Sequence, residues 1–444
     1  MTESQEKNNE RYLDWKGTLF NNNYIGIEKL GHGAYSSVWL VYGITQKNLF
    51  ALKISYTEDF YDCQAEYQTI KTFMKLKIPN IINVIESFTH DSKYCIVLNL
   101  MYSSLYQYIK NEINDIMPFK LLMKYLKQII TTIESMHSYG YIHTDIKPEN
   151  ILVKYINKKH QQILDYMNSK TVEELINIKF IENRKYKLPE KRNLIIKDIL
   201  LAFINKEPDD NTIIESSEEE SEKETKSEYK FTRELMAIDE ESFSDSRIGK
   251  GSPSFEKTGS DISDDESDID EKETETIEKE YYEDIVIADL GNVIKKSDGT
   301  YSLQTIYYRA PEVMLQLDYD NKIDIWSLGC LIYELITGEV LFNSDNIEEI
   351  NIIRYHIYDI QMKLGLIEKK VWDKCSFKDV FIRQDGGIRG INTIKHDFVW
   401  VKLFDKLNEI YTPDEIEKVL NLLMSCLTVD RDKRKTAKEL LSMI

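Results

Sequence analysis

The eight residues His143-Thr144-Asp145-Ile146-Lys147-Pro148-Glu149-Asn150 constrain this chain more than any other stretch. They follow a single apolar stripe of Phe119, Leu122, Leu126, Ile129, Ile133 and Met136. That spacing predicts a helix ending near Gly140. They precede the apolar run Ile151-Leu152-Val153. A carboxylate, an amine and a carboxamide thus share one short loop. Phosphoryl transfer asks for that set: a carboxylate to take a hydroxyl proton, a cation for phosphate charge, and an amide oxygen for a metal. Such a loop also arises by chance, so its weight depends on companions in the right order.

The companions are present. Short β-like runs cover Tyr24–Leu30, Ser36–Tyr42, Leu49–Ser55, Ile81–Phe88 and Tyr94–Leu100, with a helical segment over Glu58–Lys77. Five strands and one helix make a small α+β lobe. The first turn reads Leu30-Gly31-His32-Gly33-Ala34-Tyr35-Ser36-Ser37-Val38. Glycines there let the backbone approach a polyphosphate. A lone Gly-x-Gly is otherwise a hairpin turn. About twenty residues on, Ala51-Leu52-Lys53-Ile54 sets a lysine inside an apolar strand. Lys53 needs an acid on the following helix; Glu66, deeper in that helix, is preferred to Glu58. Later, Asp284–Ala288 reads as a strand ending in Asp289-Leu290-Gly291, a carboxylate placed to hold Mg²⁺. Then come Thr305, Tyr308-Arg309-Ala310-Pro311-Glu312, and Asp324-Ile325-Trp326-Ser327-Leu328-Gly329. A buried Glu312 needs a cationic partner, and Arg434 is the candidate. Residues 325–444 read as mostly helical.

Charge divides the chain. Of the 444 residues, 206–284 carry 29 acidic and 10 basic side chains, the whole of the net charge of −19. The remainder is neutral, which argues against generic nucleic-acid binding. Few apolar groups and much like charge predict disorder over 206–284. Runs such as Ser216-Ser217-Glu218-Glu219-Glu220 are candidate sites for acid-directed phosphorylation. Residues 155–205 hold candidate helices at His160–Asn168 and Thr171–Ile181. Residues 1–22 read as a loose polar arm. Five scattered cysteines without a CxxC suit buried thiols in a reducing compartment. No signal peptide opens the sequence, and the longest apolar run, Ile325–Ile336, is too short for a bilayer. A soluble intracellular protein, cytoplasmic or nuclear, without membrane contact and monomeric, is expected.

Taken together these motifs resemble a eukaryotic-type protein kinase over about 24–154 and 285–444. The resemblance implies a bilobal α+β fold: arm 1–22, small lobe 23–100, the first part of the helical lobe 101–154, an insert 155–284 and its second part 285–444. It implies ATP and Mg²⁺ as cofactors and protein substrates. Asp145 is then the catalytic base and Lys147 touches the transferred phosphate. Lys53 binds phosphates, Glu66 positions it, and Asn150 and Asp289 hold Mg²⁺. The turn Leu30–Val38, Ala51, Leu98, Asn99, Met101 and Leu152 would enclose the nucleotide, with Leu98 behind the adenine. Asp324 would brace the catalytic loop.

Within that family the closer resemblance is to SR-protein kinases, which phosphorylate serines in Arg-Ser repeats. Thr144 stands where most kinases carry arginine, Leu290 where most carry phenylalanine, and Ser36 replaces the third glycine. A long charged insert falls at the same place. Basic Ser/Arg-rich substrates follow from this likeness. Ile306 and Arg431 depart from the pattern, and Asp345, Glu348 and Glu349 do not match a docking groove. Residues 206–284 of the insert are expected to be dispensable for chemistry and to act in localisation or partner choice. A second reading is a scaffold that binds partners through the insert. Thr144, Leu290 and Ser36 motivate it, and the retained catalytic groups weigh against it.

Overall fold

In the computed structural model the chain divides into two compact units, residues 1–200 with 280–444 and residues 201–279. The structure describes residues 13–113, 116–154, 158–171, 174–175, 284–295, 303–343, 349–376, 378–383, 388–389 and 399–444, all in the first unit. The acidic insert as far as residue 283 therefore lies outside the described residues, as do Asp345 and Glu348.

The first lobe is built from β1 (Leu19–Phe20), β2 (Tyr24–His32), β3 (Ser36–Gly43), β4 (Asn48–Ser55), α1 (Phe60–Lys75), β5 (Val84–His90) and β6 (Lys93–Asn99). The strands form one antiparallel sheet in the order β1-β2-β3-β4-β6-β5. Alternate residues Trp39 and Val41, Phe50, Leu52 and Ile54, and Cys95 and Val97 share one apolar cluster with Phe20 and Tyr24. That period of two is what puts one face of a strand into a core. Helix α1 buries Cys63, Glu66, Ile70 and Phe73, a three-to-four-residue repeat that aims Glu66 inward.

Two expectations need correction. Residues 13–22 are not a loose arm: Leu19–Phe20 adds a sixth strand to β2. Phe20 is fully buried, and Gly17 and Gly26 join through backbone bonds of 2.8 and 2.9 Å with residues 26 and 18. An added Cβ on Gly26 would lie 2.1 Å from the Trp15 carbonyl oxygen, so the arm sits directly on that glycine. The sheet thus begins before residue 23, because two aromatic side chains outweigh the polar surroundings. The strand expected from Ile81 starts instead at Val84. Asn80 turns the chain with φ 48°, and Ile81 and Ile82 dock on Ile287.

The second lobe contains α2 (Leu105–Glu112), α3 (Phe119–Ser138), α5 (Lys322–Thr337), α6 (Glu349–Leu364), α7 (Val399–Leu407), α8 (Pro413–Cys426) and α9 (Ala437–Leu441), whereas α4 (Lys158–Asn168) packs on the first lobe's sheet, where Tyr42 Oη donates to Asn168 Oδ1 at 2.8 Å and Lys159 pairs with Glu28 at 2.9 Å. One-turn helices occupy Pro311–Met314, Lys369–Trp372 and Lys378–Phe381. The expected stripe of α3 is buried except for Phe119, which is partly buried. Helix α5 is buried on nearly every side, which explains its apolar run. Among the described residues no helix is long and apolar enough to cross a membrane. Short strands β7 (Ser103–Ser104), β8 (Tyr141–Ile142), β9 (Ile151–Val153), β10 (Ile285–Ile287) and β11 (Ile294–Lys295) pair as β10-β9-β7 and β11-β8. The insert thus leaves and re-enters between adjacent strands, with Lys154 N donating to Asp284 O at 2.9 Å. Its first helix, α4, is the one expected at His160–Asn168. Of the helix expected at Thr171–Ile181 only residues 174–175 are described as helical. All five cysteines are free and buried.

The expected ion pair closes the second lobe. Arg434 donates from Nη1 and Nη2 to the two oxygens of Glu312 at 2.7 and 2.9 Å. It also donates to the Thr428 and Lys322 carbonyls and lies 5.1 Å over the Trp326 ring. Arg434 is 1 % exposed, so losing it leaves Glu312 charged and dry. Arg434→Leu should therefore cost about 3–5 kcal/mol in urea denaturation. A cost below about 1 kcal/mol, the size of an exposed pair, would show that the buried pair does not hold this lobe.

Candidate active site

The loop His143–Asn150 is held from below by one carboxylate. Asp324, fully buried in the first turn of α5, accepts from His143 N and Thr144 N, both at 2.8 Å. His137 Nε2 lies 2.9 Å from Asp324 Oδ2. These bonds hold Thr144 at φ 70°, a left-handed conformation that threonine rarely adopts. His143 Nδ1 accepts from Asp145 N at 3.2 Å, so its Nε2 carries the proton and donates to Ala288 O at 3.3 Å. The brace expected of Asp324 is present.

Asp145 stands at the centre. Its Oδ2 receives Lys147 Nζ at 2.8 Å and Asn150 Nδ2 at 2.9 Å. Its Oδ1 receives Thr305 Oγ1 at 2.6 Å, and Lys147 Nζ also donates to Thr305 Oγ1 at 2.8 Å. Burial raises the carboxyl's pKa, but the Lys147 ammonium and the Thr305 hydroxyl outweigh it and hold the pKa below its ordinary value. Asp145 is therefore ionised and able to accept a proton at neutral pH.

Across the cleft, Lys53 Nζ sits 2.7 Å from Glu66 Oε2 and 3.2 Å from Asp289 Oδ1. Burial opposes its charge, yet the two carboxylates raise its pKa far above the ordinary lysine value. Glu66 was the correct partner. Asp289 takes a left-handed φ of 58°, which an Asp tolerates better than most residues. Ala51 pairs with Leu98, Asn99 with Phe50, and Leu152 with Ser104 and Val286. Leu98, Met101 and Leu152 are partly buried against the core. Leu30 is 41 % and Tyr35 51 % exposed, while Ser36 and Ser37 are buried.

The residues present fit a nucleotide with Mg²⁺. A Cβ added at Gly31 or Gly33 would meet nothing within 4 Å, so the turn leaves room for phosphates. Both amide hydrogens of Asn150 go to Asp145, on its carbonyl and on Oδ2. Its Oδ1 therefore faces the other way. That oxygen and the half-exposed Asp289 carboxylate are the hard ligands Mg²⁺ prefers. Among the described residues no three His, Cys, Asp or Glu gather to hold a metal alone.

Two residues of this region carry no sequence signal. Gln304 is buried beneath Thr305 and bonds in several directions. Glu334 accepts from Tyr308 Oη at 2.5 Å. Burial pushes Glu334 up to about 7, helped by Glu149 and opposed by the Tyr308 hydroxyl.

The balance at Asp145 is testable by titration. With Lys147 in place its carboxyl should titrate below the ordinary value; in Lys147→Ala the burial contribution loses its main opponent and the titration should move to higher pH. Carboxyl ¹³C NMR of Asp-labelled protein follows both. No upward movement in the variant would refute the assigned cause.

The geometry has counterparts in known proteins. The family model for the protein kinase domain matches residues 24–192 and 275–443. "Serine/threonine-protein kinase SRPK" of Physarum polycephalum is 24% identical over 95% of this chain and 85% of that protein. "SRSF protein kinase 3" of Mus musculus is 26% identical over 88% of this chain and 80% of that protein. The crystal structure of a kinase domain superposes with a TM-score of 0.58 at 18% identity, covering 97% of each chain, and shows the shared fold. The family match spans about three quarters of the sequence and breaks at the insert, and it includes Lys53, Asp145, Asn150 and Asp289. The chain belongs to the protein kinase family.

Proposed function

We propose that the chain transfers the γ-phosphoryl group of Mg-ATP to serine or threonine hydroxyls of protein substrates. The observation that carries this is the convergence of Lys147 and Thr305 on Asp145. Asp145 accepts the proton as the substrate oxygen bonds to the γ-phosphorus and the bond to the β-phosphate oxygen breaks. Lys147, between Asp145 and the incoming group, offsets charge on the transferred phosphoryl. Lys53, kept charged by Glu66, holds the α- and β-phosphates. Bound Mg²⁺, through Asn150 and Asp289, would neutralise the phosphate charge.

Basic Ser/Arg-rich peptides are the proposed substrates. The support is the resemblance of the catalytic loop, the Asp-Leu-Gly turn and the insert to SR-protein kinases, together with a relative whose name specifies SRSF proteins. The test is an Mg-ATP assay on a panel of Arg-Ser, acid-flanked and proline-flanked peptides, with Asp145→Ala as control. Loss of the base should lower the rate about 10²–10⁴-fold. Equal activity in the control would reject the assignment of Asp145. A panel led by acidic or proline-directed peptides would reject the substrate class alone.

The start of the segment after Asp289 is tied down without a phosphate. Thr144 Oγ1 donates to the Asn292 carbonyl at 2.9 Å, β11 pairs with β8, and Lys295 Nζ lies 5.4 Å over the Tyr141 ring. In many kinases the residue at the place of Thr144 is an arginine that pairs with a phosphorylated loop. We therefore propose activity without phosphorylation of Ser297, Thr300 or Ser302, residues that lie outside those described. Phosphatase treatment and the triple Ala variant should each keep activity within about tenfold, roughly 1.4 kcal/mol. A larger loss in folded protein would mean that the loop needs its phosphate.

A further inference from the structure

Gln304 is a polar side chain buried in a segment that sequence reading left unassigned. It is 8 % exposed and has φ 66°. A left-handed non-glycine residue is strained and persists only where its surroundings over-determine it. The surroundings here are explicit. Gln304 Nε2 donates to Ser327 Oγ at 2.8 Å and to the Ile323 carbonyl at 3.0 Å, both on α5, and lies 3.4 Å from the Tyr308 carbonyl. Its Oε1 accepts from Ala310 N at 3.0 Å. Its own carbonyl receives Arg309 Nε and Nη2 at 3.2 and 2.9 Å. Ser327 completes the ring by donating to the Tyr308 carbonyl at 2.8 Å.

One side chain thus closes the loop 304–310 on itself and fastens it to α5, the helix whose Asp324 braces the catalytic loop. The next residue is Thr305, which holds Asp145 through its hydroxyl. We infer that Gln304 is a positioning residue: its buried carboxamide sets Thr305, and through it Asp145, and shapes the loop that a protein substrate would meet. The inference rests on the kinase reading of the site and adds to it. The carboxamide anchor is neutral and internal, and its one charged partner, Arg309, bonds the Gln304 backbone carbonyl. Its left-handed backbone turns the chain so that Thr305 faces Asp145 while the carboxamide faces α5.

The test compares Gln304→Met, of similar size but without the hydrogen bonds, with Gln304→Asn, which tolerates the backbone but is one methylene short. Peptide and ATP kinetics are measured in the full chain, with thermal melting and fluorescent-nucleotide binding beside them. A misplaced reacting group costs up to about 10²-fold. Both variants should therefore lose about tenfold or more in kcat and raise the peptide KM, with the ATP KM within about twofold of wild type. A second reading comes from Ser327→Ala alone and with Gln304→Met. If the two act through one network, the double variant should lose little beyond Gln304→Met. Unchanged kcat and peptide KM in a folded Gln304→Met would overturn the inference. So would parallel loss of nucleotide binding and catalysis in proportion to unfolded protein, since that marks a purely structural role. An inactive wild-type protein would instead count against the kinase reading itself.

Discussion

A carboxylate with no access to water supports everything that happens at the surface of this lobe. Asp324 sits at the N-terminal turn of α5, where helix amides favour negative charge. It satisfies two backbone donors of the catalytic loop and meets His137. A buried charge of this kind is tolerable only when its lone pairs are used. Here using them forces Thr144 into a left-handed turn, and that turn presents Asp145 upward. The same helix carries Ser327 and, through the ring of Trp326, the guanidinium of Arg434. Loop, substrate-side segment and C-terminal tail are therefore referenced to one rigid rod.

Much of this was legible in the sequence, and the reasons differ by residue. Lys53, Glu66, Asp145, Asn150 and Asp289 are readable because a reaction dictates residue type and order, whatever the intervening chain does, whereas Asp324 was readable only through the family resemblance. Arg434 was readable as the needed partner of a buried acid. The strand Leu19–Phe20 was hidden because it is only two residues long and, beyond its hairpin partners Tyr24 and Ile25, its burial comes from the distant cluster around Trp39, Phe50 and Val97. Ile81 and Ile82 read as strand on propensity alone, while their partner lies some 200 positions away at Ile287. Gln304 and Glu334 gave no signal. A buried amide is meaningful only once Ser327, Ile323 and Ala310 surround it, and a glutamate on a helix resembles any solvated one until Tyr308 is seen above it.

The two halves of the site use charge differently. On the Lys53 side, one cation meets two carboxylates, so that arrival of an anionic ligand and its metal can redistribute partners without leaving a charge bare. On the Asp145 side, Lys147 and Thr305 both point at one carboxylate. The hydroxyl of Thr305 belongs to a loop fastened to α5 by the neutral hydrogen bonds of Gln304 and Ser327. Such bonds keep their geometry as salt rises, whereas exposed ion pairs are screened.

The pairing of β9 with β10 bears on how the chain is made. Val153 and Ile285 face each other across the strand pair, yet some 130 residues separate them in sequence. At about 5–20 residues per second of synthesis, β9 waits roughly 6–26 s for its neighbour to emerge. During that interval Ile151 and Val153, and the underside of α3 that α5 and β10 later contact, lack their final cover. The insert then acts as a clock on assembly, before its own residues take any part in what the finished enzyme does.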